Sequence, residues 1–271
     1  MNSNSIRTNI SKEDIISDIK LTKSADSNKE HIYIVVEGQD DINVMSKFLA
    51  DTVFLYESYS GKEGVEEIVK YFNTQEVIGI RDKDYQLQKK SQYIFYYDYC
   101  CLEMMIILSD NVFQNLCTEY YHGKLTFSDL RLKILQALKE ACLIRKYNEQ
   151  KLWGINFHAI KPSKYWDSST MTIDYVTLYN DIYVIPKKGF DKSLIDSDMM
   201  ISWNYYDYLS NTQGHDFFSI FATICSTKRG ISQANISASA RVVYSISDLQ
   251  QTVLYEDLSK YSSKIKRKIF N

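Results

Sequence analysis

Residues 31–51 read HIYIVVEGQDDINVMSKFLAD. Five apolar positions, Ile32 to Val36, run without a break into Glu37, Gly38, Gln39, Asp40 and Asp41. An uninterrupted β-branched and aromatic run of this length is the pattern of a strand buried on both faces. The segment after it puts Ile42, Met45, Phe48 and Leu49 at helical spacing. Strand, tight turn at Gly38 and helix is therefore the expected order, with three carboxylates crowded where the strand ends.

The same alternation continues outward. VFLYESYS reads as a second strand, KEGVEEIVKYF as a helix, VIGI as a strand running into RDKD, YIFYYDY as a strand, and CLEMMIILSDNVFQNLCTEYY as one longer helix. Strands alternating with helices predict an α/β fold: a parallel sheet flanked by helices, with the functional edge at the C-terminal ends of the strands. Residues 1–30 are polar with one short helix over SKEDIISDIK, capped by Ser11 and carrying Ile15, Ile16 and Ile19 on one stripe. Beyond about residue 125 the alternation stops. SDLRLKILQALKEACLIRKYNEQK is an amphipathic helix, and the tyrosine- and tryptophan-rich remainder reads as mainly helical. Three regions follow: 1–30, a catalytic α/β domain over 31–125, and a helical C-terminal region over 126–271.

Composition narrows the function classes. With 271 residues, 45% of them hydrophobic, the chain can bury a sizeable core, and two prolines and nine glycines leave no linker-like stretch. The five cysteines, Cys100, Cys101, Cys117, Cys142 and Cys225, have neither zinc-ligand spacing nor a disulfide pattern, so a reducing, cytoplasmic setting is expected. No apolar run approaches the roughly 18 residues of a membrane span, and a soluble protein is expected. A net charge of −2 decides nothing about nucleic acid, because clustered acids can mask a basic surface.

In an open parallel sheet, residues just after neighbouring strands meet even when far apart in sequence. The first strand end offers Glu37 and, one turn into the helix, Asp41; the later one offers Asp82 and Asp84, which share a side because an extended chain alternates with period two. Four converging carboxylates repel unless some stay protonated or a cation joins them. Oxygen ligands without His or Cys point to Mg²⁺ or Mn²⁺, one or two ions, with the chemistry of phosphodiester cleavage. Taken singly, Asp40 and Asp41 are also ordinary helix-start residues, and Asp-Lys-Asp an ordinary solvated turn. Arg81 and Lys83 alternate with the acids and so point away from the ion, toward salt bridges or an approaching substrate.

At these residues the chain resembles the TOPRIM domain, the magnesium-binding fold of topoisomerases, primases and OLD-type nucleases. The likeness rests on an apolar strand ending in Glu37-Gly38, an acid at Asp41, and a later strand running into Asp82-x-Asp84. It covers residues 31–110, and in the OLD-like branch it extends to an acid at the next helix start, here Glu103. The whole chain is similar to the stand-alone TOPRIM effectors that accompany an ABC-type ATPase in bacterial anti-phage defence, as in the PARIS system, with GHDFF (residues 214–218) matching their C-terminal part. The resemblance implies a metal-dependent nuclease in which Glu37, Asp41, Asp82 and Asp84 act and Glu103 supports a second ion. It also implies tRNA as substrate and an ATPase partner that restrains the nuclease until infection. A DNA endonuclease would use the same acids. A non-catalytic subunit that docks on the ATPase is the alternative from a different class, and a phosphatase using Asp-x-Asp as nucleophile would carry that pair on its first strand.

His215 is placed to position a phosphate or water, or else to serve the fold; Lys228, Arg229 and Arg241 are candidate phosphate contacts, or else solvated. Trp153, Tyr165, Trp166, Trp203, Tyr205 and Tyr206 suit stacking on unpaired bases, a shared homodimer surface, or simply core. The basic end, Lys264, Lys266, Arg267 and Lys268, reads as a solvated helix terminus, or else as an RNA contact.

Overall fold

The computed structural model describes residues 10–86, 91–157, 159–184, 189–225 and 230–271. The chain divides into two compact units: one runs to Asp98 and resumes at Ser245–Asn271, the other is Tyr99–Tyr244. The sheet is α/β and parallel, flanked by helices, and the later part of the chain is mainly helical, as the alternation predicts.

The first unit begins with α1 (Lys12–Ala25), where the Ser11 hydroxyl accepts from the Asp14 N–H and Asp14 reaches back to the Ser11 N–H at 2.9 Å. This reciprocal cap satisfies two otherwise orphaned donors, and Ile15, Ile16 and Ile19 are buried on one stripe. Then come β1 (Ile32–Val36), α2 (Gln39–Met45), β2 (Val53–Glu57), α3 (Gly61–Phe72), β3 (Val77–Arg81) and β4 (Ile94–Tyr96). All pairings are parallel, in the order β2-β1-β3-β4, with Ile32 opposite Val53, Tyr33 opposite Val77, and Gly79 opposite Ile94. Chain order therefore turns outward in both directions from β1, which makes the gap between the ends of β1 and β3 the switch point where open α/β sheets bind ligands.

β1 is buried at every position, as its unbroken apolar run requires. Its Tyr33 and Val35 join Val77 and Ile94 under Ile15 and Ile19 of α1 and Val65, Ile68 and Val69 of α3. Each such side chain contributes about 1.5–3 kcal/mol by leaving water. The close seat of α3 depends on Gly79, because a Cβ there would lie 2.6 Å from Val65 Cγ1 and 3.1 Å from Val69 Cγ2.

The expected helix after β1 is shorter than its periodicity suggests. α2 ends at Met45, Val44 rather than Ile42 is fully buried, and Phe48 and Leu49 are buried from the turn beyond.

The second unit holds α4 (Leu102–Leu108), α5 (Asp110–Tyr120), α6 (Phe127–Lys151), a two-residue antiparallel pair β5 (Trp166–Asp167) and β6 (Thr172–Ile173), then α7 (Tyr175–Val184), α8 (Lys192–Met199), α9 (Tyr205–Asn211), α10 (Gly214–Cys225) and α11 (Gln233–Val243). The single helix expected over residues 101–121 is two. The chain turns at Ser109, whose hydroxyl caps α5 at the Val112 N–H, and Arg131 of α6 donates to the freed carbonyls of Ile107 (3.0 Å) and Leu108 (3.1 Å) and to Asp110 (2.6 Å). α6 and α10 supply much of this unit's core, with Phe113 packed on Phe217 and Phe221.

The chain then returns to the first unit through α12 (Ile246–Leu249) and α13 (Val253–Ile265). Both oxygens of Asp98, just past β4, accept from the first amides of α13: Val253 at 2.8 Å and Leu254 at 2.9 Å. Tyr261 packs edge-on against Phe95 of β4, and Phe270 bridges to Leu49. The division thus falls at residue 98 rather than near 125, and the C-terminal segment belongs with the sheet. Among the described residues no helix is long and apolar enough to cross a membrane.

Candidate metal centre

Glu37 follows β1 and Asp82 follows β3, so parallel pairing of these strands sets the two side by side across the switch point. The link is direct: the Asp82 N–H donates to Glu37 Oε1 at 2.8 Å. Glu37 is half-buried, and its carboxyl is pushed up to about 7 from the usual 4.5. Burial is the main cause, with the charges of Asp41 and Asp84 adding to it and the Asp82 N–H and Arg81 opposing it.

Asp41 is 7% exposed and sits at the third position of α2, reaching back to the Gly38 N–H at 2.9 Å. It therefore does cap the helix, as the simpler reading of its position expects, and it also adds negative charge beside Glu37. Gly38 itself is extended, at φ −157°, and a Cβ there would meet nothing closer than Asp41 Oδ2 at 3.8 Å, so the turn does not depend on glycine as the sequence suggested. Asp84 adopts a left-handed conformation, φ 48°, and pairs with Lys62 of α3 at 2.9 Å. Asp40 is exposed.

Arg81 is wholly buried, lies 3.4 Å from Glu66, donates to Gln86 and stacks over Tyr96 at 5.3 Å. Lys83 is exposed.

The residue that sequence reasoning missed is Tyr97. β4 pairs with β3 through Arg81 and Tyr96, and the Tyr97 N–H bonds the Arg81 carbonyl at 3.1 Å, which puts Tyr97 beside Asp82. Its hydroxyl is sealed from water and makes no hydrogen bond of good geometry among the described residues. Burial, followed by the charges of Asp41, Asp82 and Glu37, holds it well above the ordinary phenol pKa. Its interaction with Asp41 is thus electrostatic rather than a well-formed hydrogen bond. The signal available in YIFYYDY was its period of two, which puts Tyr97 on the face opposite Tyr96 but does not say which strand lies alongside.

Glu103 lies in the second unit, in the first turn of α4, with His215 Nδ1 3.7 Å from its Oε1. A Cβ on Gly214 would stand 2.3 Å from Glu103 Cβ, so only glycine lets α10 start this close to α4. Arg241 is on α11 and donates to Ser237 at 2.7 Å. Lys228 and Arg229 lie outside the described residues. Of the aromatics, Trp153 is buried against Phe190, Trp203 packs edge-on against Tyr208 beneath Lys139, and Tyr206 stays largely exposed. None of the five cysteines is in a disulfide, and all but Cys117 are buried.

The four acids of the first unit form an all-oxygen donor set, which suits a hard divalent ion, and a buried hydroxyl without a well-formed partner faces them. They do not form a finished cage. Among the described residues no three His, Cys, Asp or Glu side chains are grouped closely enough to hold an ion as they stand. Glu37, Asp41 and Asp84 are engaged instead by the Asp82 N–H, the Gly38 N–H and Lys62. Compared with known proteins, the chain matches no family model and no curated protein.

Proposed function

We propose that the chain is a Mg²⁺- or Mn²⁺-dependent endonuclease whose centre is Glu37, Asp41, Asp82 and Asp84. The observation that carries this reading is the meeting of Glu37 and Asp82 at the switch point, where burial, with the charges of Asp41 and Asp84 adding to it, leaves Glu37 titrating near 7 when a solvated carboxyl would be ionised two units lower. A fold gains nothing by gathering acids in a half-buried cleft, whereas a divalent cation turns that cost into affinity.

When bound, such an ion neutralises charge on a phosphodiester and makes an attacking water more acidic. The chain's own residues then divide the work. Glu37 and Asp82, tied through a backbone N–H, hold their oxygens in fixed register, and Asp41 is held by α2. Lys62 pairs with Asp84 and keeps a positive charge next to where an anionic substrate would lie. The Tyr97 hydroxyl, sealed from water beside Asp41, offers these carboxylates a donor that a small shift of either side chain would engage.

RNA, and tRNA in particular, together with a restraining ABC-type ATPase and an anti-phage role, is the form of this proposal that the TOPRIM resemblance supports. The engagement of Asp41 as a cap and Asp84 with Lys62 favours a second reading, a docking subunit without catalysis. Sequencing all RNA and DNA ends after expression, with and without the genomic neighbour, separates the two. Cleavage that disappears in Glu37→Ala supports the nuclease; an unchanged end profile in wild type and variant removes it.

A further inference from the structure

The second unit contains a cavity of about 430 Å³, lined by charged, polar and aromatic side chains, that the acid centre does not use. Its wall is a preassembled planar stack. Arg145 of α6 forks onto Asp216 of α10, Nε to Oδ2 at 2.5 Å and Nη2 to Oδ1 at 2.7 Å, and the guanidinium lies 3.9 Å from the centroid of the Phe157 ring. Asp216 is 5% exposed, so this bidentate pair is fixed between two helices rather than waving in solvent. Because the pair neutralises itself, the positive charge of the cavity falls to Lys161, which is exposed, and His215, whose side chain is 74% exposed, adds a ring nitrogen as a hydrogen-bonding group. One face of the imidazole is engaged: Nδ1 lies 3.4 Å from Gln233 Nε2 and 3.7 Å from Glu103 Oε1, which leaves Nε2 for a ligand.

We infer that this cavity binds a nucleotide, with the base stacked on the Phe157–Arg145 wall and the phosphate between Lys161 and His215. An apolar ligand would strand the polar lining unpaired, and a simple anion would make no use of an aromatic–guanidinium plane. A planar base carrying a phosphate uses both features, and its exocyclic groups meet Gln233 and the second lone pairs of the Asp216 carboxylate. Free mononucleotides and unpaired nucleotides of an RNA chain share this chemistry. The inference is independent of the metal centre, since every residue it uses belongs to the second unit.

Isothermal titration calorimetry on the full chain in EDTA tests it, with AMP, adenosine, inorganic phosphate and an unphosphorylated five-residue oligoadenylate RNA as titrants. The expected result is submillimolar binding of AMP or of the oligonucleotide, with adenosine and phosphate each weaker by about tenfold or more. AMP alone binding assigns the site to free nucleotides, and preference for the oligonucleotide assigns it to a strand. Lys161→Glu and His215→Ala, both at exposed positions that leave the core intact, should each weaken binding by about tenfold, as should Phe157→Ala. Lys260→Glu in the first unit should leave it unchanged. Absence of binding by both AMP and the oligonucleotide, equal binding by the Lys161 and His215 variants, or an equal loss in Lys260→Glu overturns the inference. Because no cleavage is read, the outcome stands whether or not the acid centre proves catalytic.

Discussion

Replacing Glu37 by Gln keeps an oxygen for the Asp82 N–H and deletes the charge that the site resists. In the folded chain the Glu37 carboxyl titrates at about 7, against 4.5 in the unfolded chain. Between those values the folded state holds a proton that the unfolded state has lost, so wild-type stability falls as pH rises through this window. The full difference corresponds to about 3 kcal/mol, and partial exposure of the carboxyl to solvent brings it nearer about 2 kcal/mol. In EDTA at pH 8, Glu37→Gln should therefore be more stable than wild type by about 2 kcal/mol, with the gap shrinking below about 0.5 kcal/mol at pH 4.5. The three tryptophans, Trp153, Trp166 and Trp203, all lie in the second unit and are blind to this change. Hydrogen exchange of the β1 and β3 amides, corrected for the intrinsic rate at each pH, reads it directly. Adding Mg²⁺ at about a hundred times its dissociation constant should then raise wild type by about 2.7 kcal/mol and leave the variant nearly unmoved. A Gln variant less stable than wild type at pH 8, or a gap that persists at pH 4.5, would refute the electrostatic account of the cleft.

Two further expectations concern the frame that holds the cleft. Gly79→Ala drives a methyl to within 2.6 Å of Val65 Cγ1 and should cost the first unit about 1–3 kcal/mol, measured as faster exchange of β3 and α3 amides; an unchanged exchange profile would show that α3 has slack to move. Asp98→Ala removes both acceptors from the start of α13 and should cost about 1–2 kcal/mol, seen first as lost protection at Val253 and Leu254, whereas retained protection there would mean that Thr252 caps the helix unaided.

The elements legible in the sequence are those whose signal is local. Ser11 and Asp14 mark the start of α1, the run Ile32–Val36 marks a doubly covered strand, and Val65, Ile68 and Val69 at helical spacing mark the buried face of α3. The break at Ser109 was harder to see. Ser-Asp is a fair cap signal, yet Met104 to Ile107 and Val112 to Leu116 read as one apolar stripe, and what stabilises the break is Arg131, which arrives from α6 more than twenty residues on. Nor does any period in residues 245–271 announce that α13 pairs with β4, because an amphipathic helix declares an apolar face but not the surface that will cover it.

The acids show the same division. Sequence alone determined that carboxylates follow two apolar strands, because a buried run must end where charge begins and side-chain alternation sets which residues share a face. It could not determine that these strands are neighbours, that the Asp82 amide would clasp Glu37, or that Tyr97 would close the cleft. Those relations depend on strand order and register, which are chosen by the packing of whole faces against each other. Tertiary structure alone decided the electrostatics as well, since a carboxyl near 7 is a property of burial and proximate charge, and neither exists along an extended chain.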